Sequence, residues 1–494
     1  MTEIRRRMAT GAAWMVVLRL ADRSIGLVST MILARMLVPA DFGLVAMAMS
    51  VVAALEIMST FSFDLALIQN RSADRRHYDT AWTLNVLFGL ANAGLLLALA
   101  SPVAAYYREP RVEGIMQCLS IYAAIQGLAN IGIVAFQKDM ELHKEFRLGL
   151  LKKLIGFTVT IWLAYVLRNY WALLAGQVAT AAAAVALSYV LHPYRPRFSL
   201  AAHRDLFRFS SWLLVNNLLT FLMHRTTDLV LGRASGSGAL GIYNVAYEIS
   251  NLPTTELIFP ISRAVFPGYS KMAGSIDELR QAFIDVLSVT LLFVIPAGLA
   301  IAAMADPIVH VLLGDKWTEA VPLIQVLAVF GVLRASSANS GPMYLALGSP
   351  LLLALMTGLF LVVMGLGLWV LVPLHGALGA AFAMLLAGAI AVPMLFAGIA
   401  RRLTLSAIVL AGAIWRPLCG ALVMGASLVL VQHQLAASSM RSLVQLLILP
   451  PLGLAVYIGA VLAMWRLAGR PHGGESYLLP FGKAVFKRFW QRTS

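Results

Sequence analysis

The chain alternates long apolar runs with short stretches that hold most of its charge. Residues 84–100 and 351–372 contain no Asp, Glu, Lys or Arg. A helix needs about 20 apolar residues to cross a hydrocarbon core about 30 Å thick. Only 12% of the 494 residues are charged and 60% are hydrophobic, where a soluble chain keeps roughly a quarter of its residues charged. Too little polar surface is left to face water. Inside lipid, backbone N–H and C=O groups must pair within their own segment, so runs of this kind are helices.

Hydropathy places fourteen of them, at 11–36, 41–67, 80–101, 113–136, 147–167, 170–191, 209–231, 240–262, 282–304, 319–341, 350–372, 376–399, 408–431 and 442–465. Arg416 and Pro417 are expected to interrupt the thirteenth. The expected fold class is an all-α polytopic membrane protein with about 14 transmembrane helices. The connecting loops are short, the longest near 192–208 and 263–281, and leave no room for a folded soluble domain or a large catalytic outer loop.

The net charge of +15 would suggest nucleic acid in a soluble chain. Here the cations sit between apolar runs and form no single patch, so no nucleic-acid partner is expected. With the N-terminus inside, 27 of the 38 Lys and Arg fall in inner segments and 7 in outer ones, the other four lying within spans. That asymmetry is the positive-inside pattern, and it places both termini on the cytoplasmic side. Arg5, Arg6 and Arg7 before an apolar stretch resemble a signal peptide. No small-residue cleavage site follows, and Arg19, Asp22 and Arg23 interrupt the stretch, so it is expected to be the first membrane helix.

Shifting the sequence by 198 residues brings Trp14 onto Trp212, Leu33-Ala34-Arg35 onto Leu231-Gly232-Arg233, Phe42-Gly43-Leu44 onto Leu240-Gly241-Ile242, and Ala48 onto Ala246. Helix 1 thus maps onto helix 7. Six helices per repeat is even, so both halves keep one orientation and form parallel bundles with a central cavity between them. The expected divisions are an N-terminal bundle at 1–200, a second at 201–400, and helices 13 and 14 with a basic cytoplasmic tail at 401–494.

Charges within spans point to that cavity, because a charge at mid-bilayer costs about 2.5–3.5 kcal/mol on insertion scales. Helix 1 carries Arg19, Asp22 and Arg23 on one face. Helix 2 carries Glu56 and Asp64, helix 7 Arg225 and Asp228, helix 8 Glu248 and Glu256, and helix 10 Arg334. Arg19, Arg23, Arg334 and Arg225 are the candidate substrate-binding cations, since a guanidinium fork suits phosphate. Asp22, Glu56, Asp228 and Glu256 are candidate coupling or ion-pair acids. The bland alternative is that Arg19–Asp22–Arg23 and Arg225–Asp228 are structural ion pairs. His224 and His310 fit interfacial positions at helix ends, and Tyr106, Tyr107, Trp317 and Tyr344 fit an aromatic belt.

Chemistry-bearing motifs are absent. Cys118 and Cys419 form no CxxC or metal set. No HExxH, GxSxG or P-loop occurs, so neither an enzyme, a cofactor nor self-powered ATP pumping is expected.

The segment NNLLTFLMHRTTDLVLGRASGSGALGIYNVAYEISNLP at 216–253 resembles the signature of Wzx-type bacterial polysaccharide flippases, through Asp228, Leu231, Gly232, Arg233, Leu240, Gly241, Tyr243, Ala246 and Tyr247. Residues 34–48 are similar to that family's first-repeat turn. Residues 312–328, with Gly314, Trp317 and Ala320, resemble its helix 9–10 region. The resemblance implies the fold of the multidrug/oligosaccharidyl-lipid/polysaccharide exporter superfamily in a bacterial inner membrane. It implies undecaprenyl-diphosphate-linked oligosaccharide as substrate, with membrane lipids, polysaccharide polymerase and glycosyltransferases of the same pathway as partners. Lipid II flippases of that superfamily use cavity arginines in helix 1, at a depth comparable to Arg19 and Arg23. Their helix 8 arginine has no counterpart here, where Glu248 and Glu256 stand instead. A cation-coupled multidrug exporter and a membrane-embedded polymerase or ligase remain as alternatives.

Overall fold

The computed structural model describes residues 2–59, 63–69, 73–272, 274–437, 442–471 and 473–476. In chain order the α-helices are α1 Thr2–Met36, α2 Pro39–Ser59, α3 Phe63–Gln69, α4 Arg75–Tyr107, α5 Arg111–Gly127, α6 Val134–Lys138, α7 Leu142–Leu167, α8 Trp171–Leu191, α9 His203–Met272, α10 Ile276–Ala303, α11 Ala305–Leu312, α12 Ala320–Ser336, α13 Ser340–Ala346, α14 Pro350–Arg402, α15 Ala407–Ala437 and α16 Ser442–Leu467. No strand occurs among the described residues. Nine helices there are long and apolar enough to cross a membrane, or ten when α5 and the bent 131–138 segment count as one broken span. The chain is an all-helical, multi-pass membrane protein. Among the described residues the expected apolar stretches fall on helices, with breaks at 128–130 in the fourth and at 337–339 in the tenth. α1 and α9, which carry most of the charges noted within spans, are not among the nine.

Two of the helices carry two expected stretches each. α9 turns at Gly236 and α14 at Gly376. Gly236 takes φ of 81°, a left-handed value that costs a residue without Cβ little. Two loop expectations are corrected. Residues 263–272 continue α9 as helix, and only 273–275 separate it from α10. α15 runs unbroken through Arg416 and Pro417, which do not interrupt it, and Arg416 is buried. Pro417 lacks the N–H that would close one helical bond. Neighbouring helices and local adjustment re-satisfy such freed groups in membrane helices, so a proline need not end a span.

The chain divides into two compact units, Met1–Ile242 and Tyr243–Ser494. In the first, α4 packs along α5, α7 along α8, and α1 against α7. In the second, α15 packs on α16 and α10, and α12 on α10 and α14. Packing is by small residues. The buried face of α14 includes Gly367, Gly379, Ala380, Ala383, Ala387 and Gly388, while Leu351, Leu366 and Trp369 point outward. In lipid, outward leucine costs nothing, and close helix contact comes from small side chains.

The sequence repeat has a physical counterpart within the first unit. A Cβ on Gly43 would stand 1.7 Å from the Ser237 carbonyl oxygen, and one on Gly241 would stand 1.8 Å from the Pro39 carbonyl oxygen. The 198-residue shift relates Gly43 to Gly241 and Pro39 to Ser237. The contact is therefore reciprocal: each repeat presents its glycine to the other repeat's backbone.

The segment 192–202 has no helix of its own and borrows polar partners from the start of α4. The Asp79 carboxylate accepts from the Tyr194 hydroxyl and, at 2.9 Å, from the Arg197 backbone N–H. Thr83 Oγ1 accepts from the Ser199 N–H at 3.0 Å, and Thr80 Oγ1 from the Ala202 N–H at 3.2 Å. α4 itself starts at a capping box, in which Asp74 accepts from the Arg76 and His77 N–H groups. The His77 side chain beside it holds the Asp74 carboxyl below the usual carboxylate range.

Two outcomes follow from these contacts. Gly43→Ala or Gly241→Ala drives a methyl into backbone and lowers the apparent Tm in detergent, at an overpacking cost of about 1–3 kcal/mol or more. Gly94→Ala, with nothing within 4 Å, leaves it unchanged. Asp79→Ala removes charge-assisted bonds of about 1.5–3 kcal/mol each, so limited proteolysis cuts within 192–202 faster than in the parent protein.

Candidate functional site

Three helices of the first unit enclose a hollow of about 390 Å³. α2 lines it with Val52, Leu55 and Glu56, positions three and four apart on one face. α4 contributes a stripe at Asn85, Phe88, Gly89, Asn92 and Leu96, again with helical spacing. α5 adds Ala123, Gln126 and Gly127. The α4–α5 approach is close: a Cβ on Gly89 would lie 2.9 Å from the Gly127 Cα. A larger residue there would push the walls apart and change the shape of the hollow.

The lining is polar in a particular way. Asn85, Asn92 and Gln126 are carboxamides, and Glu56 is a carboxylate. A carboxamide donates and accepts at once, which matches a hydroxyl group. Phe63 and Phe88 form a stacked pair with ring centroids 6.2 Å apart at the same hollow. Asn130 also lines it but is committed to structure. Its Nδ2 donates to the Tyr194 carbonyl at 2.8 Å, and its Oδ1 accepts from the Gly132 N–H at 2.9 Å.

The charged residues singled out from the sequence lie in several places. In the first unit, Glu56 lies within electrostatic reach of Arg225. Arg225 Nη1 pairs with Asp228 Oδ2 at 3.1 Å, and Asp228 is buried. Nearby, the Tyr107 hydroxyl lies 3.0 Å from Ser50 Oγ. Arg19 and Arg23 are half-buried on α1, and Asp22 pairs with Lys153 of α7 at 3.0 Å. In the second unit, Arg334 Nη1 meets the Tyr247 hydroxyl at 3.4 Å, and its guanidinium lies 5.9 Å from that ring's centroid. No acid pairs with Arg334 among the described residues. The side chains of Glu256 and Asp64 lie outside the described residues.

The aromatic-belt expectation is corrected for three of its four residues. Trp317 and Tyr344 are fully buried, and Tyr107 is buried against Ser50. The Tyr344 hydroxyl finds the Leu395 carbonyl at 2.8 Å, so it sits inside the helix bundle rather than at its rim. Tyr106 stays exposed. His224 lies within α9, away from its ends.

Sequence reasoning missed Asn85, Asn92, Gln126, Lys153 and the pairing of Arg416 with Glu475. Asn85 and Asn92 had a signal, since they are seven apart within an otherwise apolar run and so share a face. The partners of Asp22 and Arg416 come from distant segments and had none.

Helices long and apolar enough to cross a membrane, small-residue packing and a polar hollow within one unit define a multi-pass membrane protein with an internal polar space. Residues 32–322 match the sequence profile of the polysaccharide biosynthesis proteins (Polysacc_synt_3), and the chain belongs to that family. It is 27% identical over 351 residues to the lipopolysaccharide biosynthesis protein WzxC of Escherichia coli K12, covering 69% of this chain and 70% of that one. It is 23% identical over 326 residues to the succinoglycan biosynthesis transport protein ExoT of Rhizobium meliloti 1021, covering 66% of each. Its fold is that of the lipid II flippase MurJ in an inward closed conformation, with TM-score 0.73 at 12% identity over 92% of this chain and 100% of that one. The family resemblance seen in residues 216–253 is thereby confirmed.

The Arg225–Asp228 pair yields a stability test. Arg225→Ala removes a charge-assisted contact from the buried Asp228 carboxylate, at a cost of about 1.5–3 kcal/mol. The variant melts well below the parent in detergent, and adding Asp228→Asn recovers much of the loss.

Proposed function

We propose that this protein is a flippase that carries undecaprenyl-diphosphate-linked oligosaccharide units from the cytoplasmic to the periplasmic leaflet of a bacterial inner membrane. The units serve surface polysaccharide assembly. The polar hollow carries the reading, because it lies wholly within the segment that matches the polysaccharide biosynthesis family. Amides, one carboxylate and an aromatic pair suit sugar hydroxyls and pyranose faces, which a drug-sized apolar cation would not need.

In this reading the protein alternates between inward-open and outward-open states of two similar six-helix bundles. The sugar groups meet the amide-lined surface, and arginines meet the diphosphate. Arg334 is the strongest of these cations, because its contacts are to the neutral Tyr247 and leave its charge for an anion. Arg19 and Arg23 on α1 share that task. Arg225 is held by Asp228 and serves structure. Glu56 and Glu256 are the acids proposed to couple the cycle to an ion gradient. The chemistry is non-covalent transport.

The test is surface polysaccharide at matched protein level in cells lacking the endogenous gene. Arg334→Ala, and Arg19→Ala with Arg23→Ala, lower export by about tenfold or more, the equivalent of one lost charge-assisted contact of about 1.5–3 kcal/mol. Asn85→Leu with Asn92→Leu lowers it as well, whereas the Lys replacements at the arginines keep part of it. Full export in all of these variants overturns the assignment. Drug resistance on expression, without polysaccharide, would instead support a multidrug exporter.

A further inference from the structure

The chain does not simply leave the membrane after α16. Residues 473–476 fold back into the second unit. A Cβ on Gly474 would lie 3.1 Å from the Ser288 carbonyl group, so this backbone rests directly on α10. Ser288 is more than three turns into that helix, about 18 Å from its first residue at 1.5 Å per residue. The return is braced at two points. Trp465 Nε1 donates to the Pro471 carbonyl at 3.0 Å, and the Ser476 hydroxyl donates to the Gly473 carbonyl at 2.7 Å.

The segment delivers a charge. Glu475 Oε1 lies 3.3 Å from Arg416 Nη1, and each side chain is only 5% exposed. Geometry between them is poor. Arg416 Nε and Nη1 and Glu475 Oε1 make no hydrogen bond. A buried pair with unmet donors does not recover its desolvation cost well. Such a pair is a weak reason, on stability grounds, to keep an arginine inside α15.

Beside this pair lies a second hollow, of about 460 Å³, unlike the first. Its walls are apolar: Leu292 and Phe293 of α10, Leu428 of α15, and Leu454 and Ile458 of α16. Glu475 stands among its lining residues. An apolar slot with a buried guanidinium next to it matches an amphiphile with an anionic head.

We propose that residues 473–476 are a removable plug, in which Glu475 occupies the place on Arg416 that the phosphate of an anionic membrane lipid takes when the segment withdraws. The lipid chain then enters the apolar slot between α10, α15 and α16. The segment is thus an internal competitor for that lipid. This goes beyond the transport reading and does not depend on which substrate is flipped.

The test uses the purified full-length protein, with Cys118→Ser and Cys419→Ser and a reporter thiol from Ser476→Cys. In nanodiscs, maleimide labels the reporter slowly in the parent. Glu475→Gln raises that rate by about tenfold, and native mass spectrometry then finds more retained phosphatidylglycerol than phosphatidylcholine. The charge swap Arg416→Glu with Glu475→Arg restores slow labelling and abolishes the phosphatidylglycerol preference. Unchanged labelling in Glu475→Gln overturns the plug. Faster labelling without a preference for the anionic lipid overturns the phosphate site. If Glu475→Gln elutes as aggregate, the charge-swapped protein decides alone, since retained phosphatidylglycerol preference there contradicts a site on Arg416.

Discussion

Hydrocarbon offers no hydrogen bonds, and an unpaired backbone group in it costs several kcal/mol. This one constraint shapes the whole chain. It makes every span a helix, and it makes polar side chains inside those helices an interior feature. Asp22 finds Lys153, Arg225 finds Asp228, Arg334 finds Tyr247 and Arg416 finds Glu475. Asn130 spends its amide on the backbone of the 192–202 region and its own turn. Glu56, Asn85, Asn92 and Gln126, by contrast, line one space from three helices.

Absence of a hydrophobic drive between helices has a second consequence. Helices in lipid associate through close backbone approach, so small residues decide where they touch. Gly43 and Gly241 show the rule at its tightest, with each glycine facing the other repeat's carbonyl. A duplicated sequence can generate such a contact when equivalent positions of the two copies face each other. The 198-residue repeat and the reciprocal clash distances are thus two views of one fact.

Element type and approximate limits were legible because apolar length is a strong, local signal. Local signals also misled. Pro417 reads as a breaker, yet α15 runs through it, as membrane helices tolerate an internal proline where the freed backbone group can be satisfied elsewhere. Residues 263–281 read as a loop from Arg263, Lys271 and Arg280, yet α9 continues to Met272 because a helix does not end where the membrane does. Trp317 and Tyr344 read as belt aromatics from composition, yet both are buried by packing that no local pattern encodes. The charges of the site were visible as violations of an apolar run. The amides gave a fainter signal, the shared face of Asn85 and Asn92, because Asn and Gln break such a run only weakly.

The arginines inside the helices separate by what answers their charge. Arg225 is answered by an acid three residues on, a partner its own helix always supplies, so this charge is locked. Arg334 is answered by a neutral hydroxyl and a ring face, which orient a guanidinium without neutralising it. Arg416 is answered by an acid from the far side of the last span, held by imperfect geometry on a short return of chain. Locking, orienting and temporarily covering a charge have different free-energy consequences for an incoming anion. An anion at Arg225 must displace a fixed carboxylate, one at Arg334 displaces nothing charged, and one at Arg416 must compete with a tethered carboxylate whose effective concentration the chain sets. The same residue type in three spans therefore meets three kinds of partner, and the identity and tether of that partner, rather than depth in the membrane, set what an incoming anion would have to displace.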